Sequence, residues 1–170
     1  MSDCQYLIAE KEHKCFVKLI GRSNYMSCGN FKEFVDNLVE HKKYDDIFID
    51  MTELEFIDST NLGIIARFTD YMLSNFDRKA IIYSTNQDIN QIIKSVGFFD
   101  AFTVLDATFE DDLSLKKIKN SDTLDGKKLS HILLEAHKTL IELNEHNKEI
   151  FSDVVKCLIN KENAEGKNDV

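Results

Sequence analysis

Asp58-Ser59-Thr60-Asn61 is the segment of this chain best placed to do chemistry. A carboxylate and two hydroxyls stand directly before Leu62, Ile65, Ala66, Thr69, Met72, Leu73 and Phe76, which recur at helical spacing. A group at such a place meets free backbone amides, and Asp58 can accept hydrogen bonds from them as a helix cap. Ser59 is no hydrolase nucleophile of the G-x-S-x-G kind, because no glycine stands two positions before it. A Ser-His-Asp triad needs only proximity in space, and nothing in the sequence points to one. No glycine-rich phosphate loop is present. The histidines His13, His41, His131, His137 and His146 share no helical metal-ligand spacing and read as surface or partly packed side chains. The four cysteines, Cys4, Cys15, Cys28 and Cys157, form no CxxC pair and read as free thiols. The expectation is a protein that is not an enzyme and carries no metal or cofactor.

Composition narrows the partners. Across 170 residues the net charge is -9, with 43% hydrophobic and 30% charged residues, ordinary for a globular protein. No basic cluster with interleaved aromatics suits nucleic acid, and the pairs Lys42-Lys43, Lys116-Lys117 and Lys127-Lys128 read as solvated faces. No apolar run reaches the roughly 20 residues that span a bilayer, and no signal-peptide pattern opens the chain. A cytoplasmic protein without direct membrane insertion is expected.

The elements that must position the Ser59 turn follow from periodicity. Tyr6–Ala9 and Cys15–Ile20 read as a hairpin, followed by a polar stretch from Gly21 to Gly29. Phe31, Phe34, Val35, Leu38 and Val39 mark a helix, with Asn30 and Glu33 as a capping box. Asp46–Met51 and Ala80–Tyr83 read as strands buried on both faces. Asn86 to Asp88 caps a short helix that Gly97 ends in a left-handed conformation. Phe102–Leu105 is a last strand, and Thr108 with Asp111 opens a further helix holding Phe109, Leu113 and Leu115. The order β-β-α-β-α-β-α-β-α predicts an α/β fold with a mixed, partly parallel sheet of about five strands. A domain over residues 1–119 and a helical extension over 120–170 are expected. From Asp122 strand signals stop, and Leu129, Leu133, Ala136, Leu140, Leu143, Asn147, Ile150, Val154 and Cys157 follow heptad steps. This long C-terminal helix either folds back on the sheet or pairs with a second copy through Leu133, Leu140, Leu143, Asn147, Ile150 and Val154. A buried Asn147 suits the second reading, and docking to another protein is a third. Lys161 to Val170 reads as a frayed tail.

Two of these segments resemble the STAS domain family. Ile47-Phe48-Ile49-Asp50 followed by Phe56-Ile57-Asp58-Ser59-Thr60-Asn61-Leu62-Gly63 is similar to its apolar strand and Asp-Ser-Ser-Gly-Leu-Gly turn into a helix. Tyr83-Ser84-Thr85-Asn86, running on to Val96-Gly97-Phe98-Phe99, is similar to its later strand, short helix and glycine. The resemblance spans roughly Tyr6 to Lys117 and implies helices mainly on one face of the sheet.

The resemblance to the anti-sigma factor antagonists of that family implies a signal-transduction role in transcription regulation by partner switching. It makes Ser59 the phosphoacceptor, with Thr60 as second choice, and an anti-sigma factor or serine kinase-like protein the partner. Arg22, Ser23, Asn24, Asp58, Ser59, Thr60, Asn61 and Asn86 would face that partner. Alternatives within the family are an unphosphorylated accessory subunit of a membrane transporter and a small-ligand sensor. Asn61 stands where many members have glycine, Asn24 where many antagonists have aspartate, and the extension is absent from a minimal antagonist.

Overall fold

Residues 3–41, 44–120 and 124–167 are described by the structure, a computed structural model. The pair Lys42-Lys43 and the composition change at Asp122 lie outside them. The first two strands form the expected hairpin, β1 (Gln5–Lys11) antiparallel to β2 (Lys14–Ser23). Its two-residue loop is Glu12 and His13, at φ 50 and 64, the paired positive φ that a tight hairpin matching strand twist requires. Helix α1 (Gly29–His41) crosses to β3 (Asp46–Ile57), which lies parallel to β2. Helix α2 (Ser59–Phe76) crosses to β4 (Ile81–Tyr83), parallel to β3. The short helices α3 (Gln87–Ser95) and α4 (Phe98–Ala101) lead to β5 (Thr103–Leu105), parallel to β4. Gly97 between them takes φ 85, the left-handed conformation expected there.

The mixed, partly parallel sheet is therefore as anticipated, with one strand more. β6 (Lys116–Ile118) pairs antiparallel to β1, giving the order β5-β4-β3-β2-β1-β6. The helix expected from Thr108 is absent. Residues 108–115 are irregular, and Phe109 instead lies on the sheet face opposite the core, 5.1 Å from both Phe16 and Tyr83. Stacking on three strand aromatics outweighed the local cap signal of Thr108 and Asp111. The Asn30–Glu33 capping box does not form either. α1 begins one residue earlier, and the Asn30 side chain donates to the Lys119 carbonyl at 2.7 Å. On the core face Val17, Leu19, Ile47, Ile49 and Met51 from the strands meet Phe31, Val35, Phe68 and Met72 from α1 and α2.

The extension forms α5 (Gly126–Leu143) and the long α6 (Glu145–Lys167). Asn144 between them is extended, and its side-chain oxygen accepts from Asn147 N at 2.8 Å, starting the new helix. The two run back on each other, with His131 of α5 against Glu162 of α6. The heptad residues consequently divide. Leu140 and Asn147 are buried within the chain, Leu133 and Leu143 half-buried, and Ile150 and Val154 exposed. Asn147 is buried because its side-chain nitrogen donates to the Val96 and Leu140 carbonyls, each at 2.9 Å. The segment from Lys161 to Lys167, expected to fray, is helical.

Candidate docking site at the start of α2

Where β3 ends, the chain turns straight into α2, and Asp58 is the residue that makes the turn. Its backbone is extended, with φ -93 and ψ 170. One carboxylate oxygen accepts from Asn61 N at 3.0 Å and from the Asn61 side-chain nitrogen at 2.9 Å. The other accepts from Tyr25 N at 2.6 Å, and Asp58 N donates to the Ser23 carbonyl at 3.1 Å. One charged cap thus ties the loop after β2 to the helix start, satisfying donors on both.

Three residues expected on the binding face are instead buried: Ser23, Thr60 and Asn61. The reason is a polar cluster beneath the turn. The Tyr6 hydroxyl donates to the Asn61 side-chain oxygen at 2.7 Å and lies 2.8 Å from Ser23 Oγ. Asn61 occupies the expected glycine position without a left-handed backbone, since it lies within α2 and is not among the positive-φ residues. Its amide side chain is the feature the site uses. Burial pushes the Tyr6 phenol well above its ordinary range, so it remains a neutral donor. Burial, with the Asp58 carboxylate nearby, likewise pushes the Cys28 thiol up to about 12.

Around this base lie the accessible residues. Arg22 is exposed, its guanidinium 4.7 Å from the centre of the Phe56 ring. Asn24 is half-buried, and its side-chain oxygen accepts from Met26 N at 2.9 Å. Asn86 sits apart at the start of α3, where it accepts from Asp88 N and donates to the Leu54 carbonyl. Tyr25 and Met26 are exposed large side chains on the loop held by Asp58. Nothing in the sequence marks either residue, because a polar stretch carries no periodicity to single them out.

Ser59 is the first residue of α2 and is half-buried. Its Oγ lies 2.9 Å from Nε2 of His137, a residue of α5 that is 78 positions away in the chain. His137 Nδ1 lies 2.6 Å from the Leu133 carbonyl. A carbonyl only accepts, so Nδ1 carries a proton, and Nε2 is the ring atom that shares a hydrogen bond with the Ser59 hydroxyl. No local sequence signal pairs these two residues. A serine hydrogen-bonded to an imidazole is also the start of a nucleophile–base pair. The clefts described on the surface, however, lie elsewhere, and neither Ser59 nor His137 lines them.

Beside this contact α5 meets α2 backbone to backbone. A methyl group on Gly63 would run into the Ala136 carbonyl and sit 2.7 Å from its Cα. Lys32 of α1 bridges Asp36 and Glu135, each at 2.6 Å, and Arg67 also pairs with Asp36. Burial raises the Glu135 pKa, but the Lys32 hydrogen bond and charge, with His131 and Arg67, outweigh it and hold the carboxyl below its ordinary value. Among the described residues no group of three or more His, Cys, Asp or Glu side chains could hold a metal, and no helix is long and apolar enough to cross a membrane.

Comparison with known proteins agrees with this geometry. The sequence profile of the STAS domain matches residues 6–113. The fold is similar to the structure of the anti-sigma factor antagonist SpoIIAA in its unphosphorylated form, at a TM-score of 0.51 and 12% identity, covering 61% of this chain and 89% of that one. No curated protein matches the chain.

Proposed function

The chain belongs to the STAS domain family, and we propose that it acts as an anti-sigma factor antagonist-like switch, binding a partner protein through the start of α2 under control of Ser59. In this reading residues 1–119 form the signalling domain and 120–170 an added helical extension. The observation that carries the proposal is the setting of Ser59: first residue of α2, half-buried, at the seam between the helix and the loop that Asp58 anchors. The docking face is drawn from the exposed Arg22, Tyr25 and Met26 and the half-buried Asn24, Asp58 and Ser59, with Asn86 at its margin. Ser23, Thr60 and Asn61 hold that face from beneath. The buried position of Thr60 makes it the weaker phosphoacceptor.

A phosphate on Ser59 adds roughly -1.5 to -2 charge. The helix dipole tolerates it, so its effect falls on docking rather than on folding. It stands next to Asp58 and adds hydration that a partner must strip. A loss of about 3 kcal/mol at the interface weakens binding roughly a hundredfold. The role is non-catalytic, and the partner in this reading is an anti-sigma factor or serine kinase-like protein.

Affinity capture with wild type, Ser59→Ala and Ser59→Asp, read by mass spectrometry, tests the proposal. A partner retained by wild type and Ser59→Ala and lost by Ser59→Asp is expected. Equal retention by all three contradicts it.

A further inference from the structure

The Ser59 face already has an occupant. α5 lies across the N-terminal half of α2, and Ile132, Ala136 and Leu140 enter the same apolar core as Leu62, Ile65 and Ala66. The approach is close enough that Gly63 has no room for a methyl group. Polar groups complete the fit, His137 hydrogen-bonded to Ser59 and Glu135 meeting Lys32. All five of these α5 residues lie beyond the matched STAS segment, which ends at residue 113.

We propose that the N-terminal half of α2 is a helix-receiving surface, that the α5–α6 hairpin is its resident ligand, and that the partner is a protein presenting a helix of the same chemistry. This rests on the reading of Ser59 as the centre of the docking face. The receiving side fixes what such a partner helix carries. Opposite Gly63 it needs a small residue, because the backbones touch there. Opposite Ser59 it needs a side chain that hydrogen-bonds a hydroxyl, and opposite Lys32 a carboxylate. The hairpin supplies these with Ala136, His137 and Glu135, so partner and hairpin exclude each other. The Ser59 hydroxyl is likewise engaged while α5 is seated, so modification and docking both require the hairpin to leave.

Two hairpin-side variants of the full chain leave α2 intact. Ala136→Leu overfills the helix crossing, and Glu135→Lys sets a cation against Lys32. Hydrogen exchange in the absence of any partner reads the outcome. The α5 and α6 amides of either variant should exchange about ten- to a hundredfold faster than wild type, with β1 to β4 still protected. Loss of protection in the sheet together with the hairpin in both variants overturns the proposal, because the hairpin is then an inseparable part of the core. So does unchanged hairpin protection in both. The partner captured through the Ser59 comparison should bind Glu135→Lys more tightly than wild type, by a similar factor, and equal affinity also overturns competition. Failure of Ser59→Asp to weaken capture by a released variant counts instead against the Ser59 reading itself.

Discussion

Asn61→Ala tests whether the polar cluster beneath the Ser59 turn holds it in place. The substitution removes the acceptor of the Tyr6 hydroxyl bond at 2.7 Å and the side-chain donor to Asp58 at 2.9 Å. A neutral hydrogen bond contributes about 1 kcal/mol and one to a carboxylate about 1.5–3 kcal/mol. The Tyr6 hydroxyl keeps Ser23 Oγ at 2.8 Å, so it is not orphaned and the full desolvation penalty does not apply. The sum is about 2.5–4 kcal/mol, which for a chain of this size lowers Tm by about 5–16 °C. Tyr6→Phe removes the shared bond from its other end at about 2 kcal/mol. The double variant should fall short of the two single costs by about 1 kcal/mol, since both lose one and the same bond. Urea titrations of the four proteins, with unchanged slopes, give these values. A cost below about 1 kcal/mol for Asn61→Ala, or strict additivity, would refute the reasoning.

Three further outcomes follow from named contacts. Asn147→Ala should destabilise the chain by about 1–3 kcal/mol in urea titration, because the Leu140 carbonyl loses the side-chain donor that reaches it at 2.9 Å. A thiol reagent at pH 8 should label Cys157 rapidly and Cys4, Cys15 and Cys28 only after denaturation, since the last three are buried and Cys28 is also pushed up to about 12. The Glu135 carboxyl is held down in the folded chain, so its contribution is present above the ordinary carboxylate range and lost as pH falls through the folded value. The stability difference between wild type and Glu135→Gln should therefore shrink on acidification, and a difference that grows would contradict the Lys32–Glu135 contact.

Much of the domain was legible because its elements carry their own patterns. Ile47-Phe48-Ile49-Asp50 followed by Asp58-Ser59 announces β3 and the capped start of α2; the helix starts where the pattern puts it, and the strand runs past the expected Met51 to Ile57. β6 was hidden because Lys116, Lys117 and Ile118 form a three-residue edge strand with no alternation to read. The supposed helix at Thr108 failed because Phe109 finds Phe16, Phe48 and Tyr83 on the sheet, partners distant in sequence. The heptad steps continue smoothly through Asn144. Only the Val96 carbonyl, reached by the side chains of Asn144 and Asn147, shows why the helix breaks there and doubles back. His137 was legible as a helical residue but not as the partner of Ser59, because that pairing exists only once α5 lies on α2.

Titrating the captured partner, once purified, against Ser59→Ala and Ser59→Asp in one buffer addresses the account most directly. A Kd roughly a hundredfold weaker for the aspartate variant, with the fold of both intact by circular dichroism, is the predicted result. Matching Kd values for the two would mean that charge at the head of α2 does not govern docking.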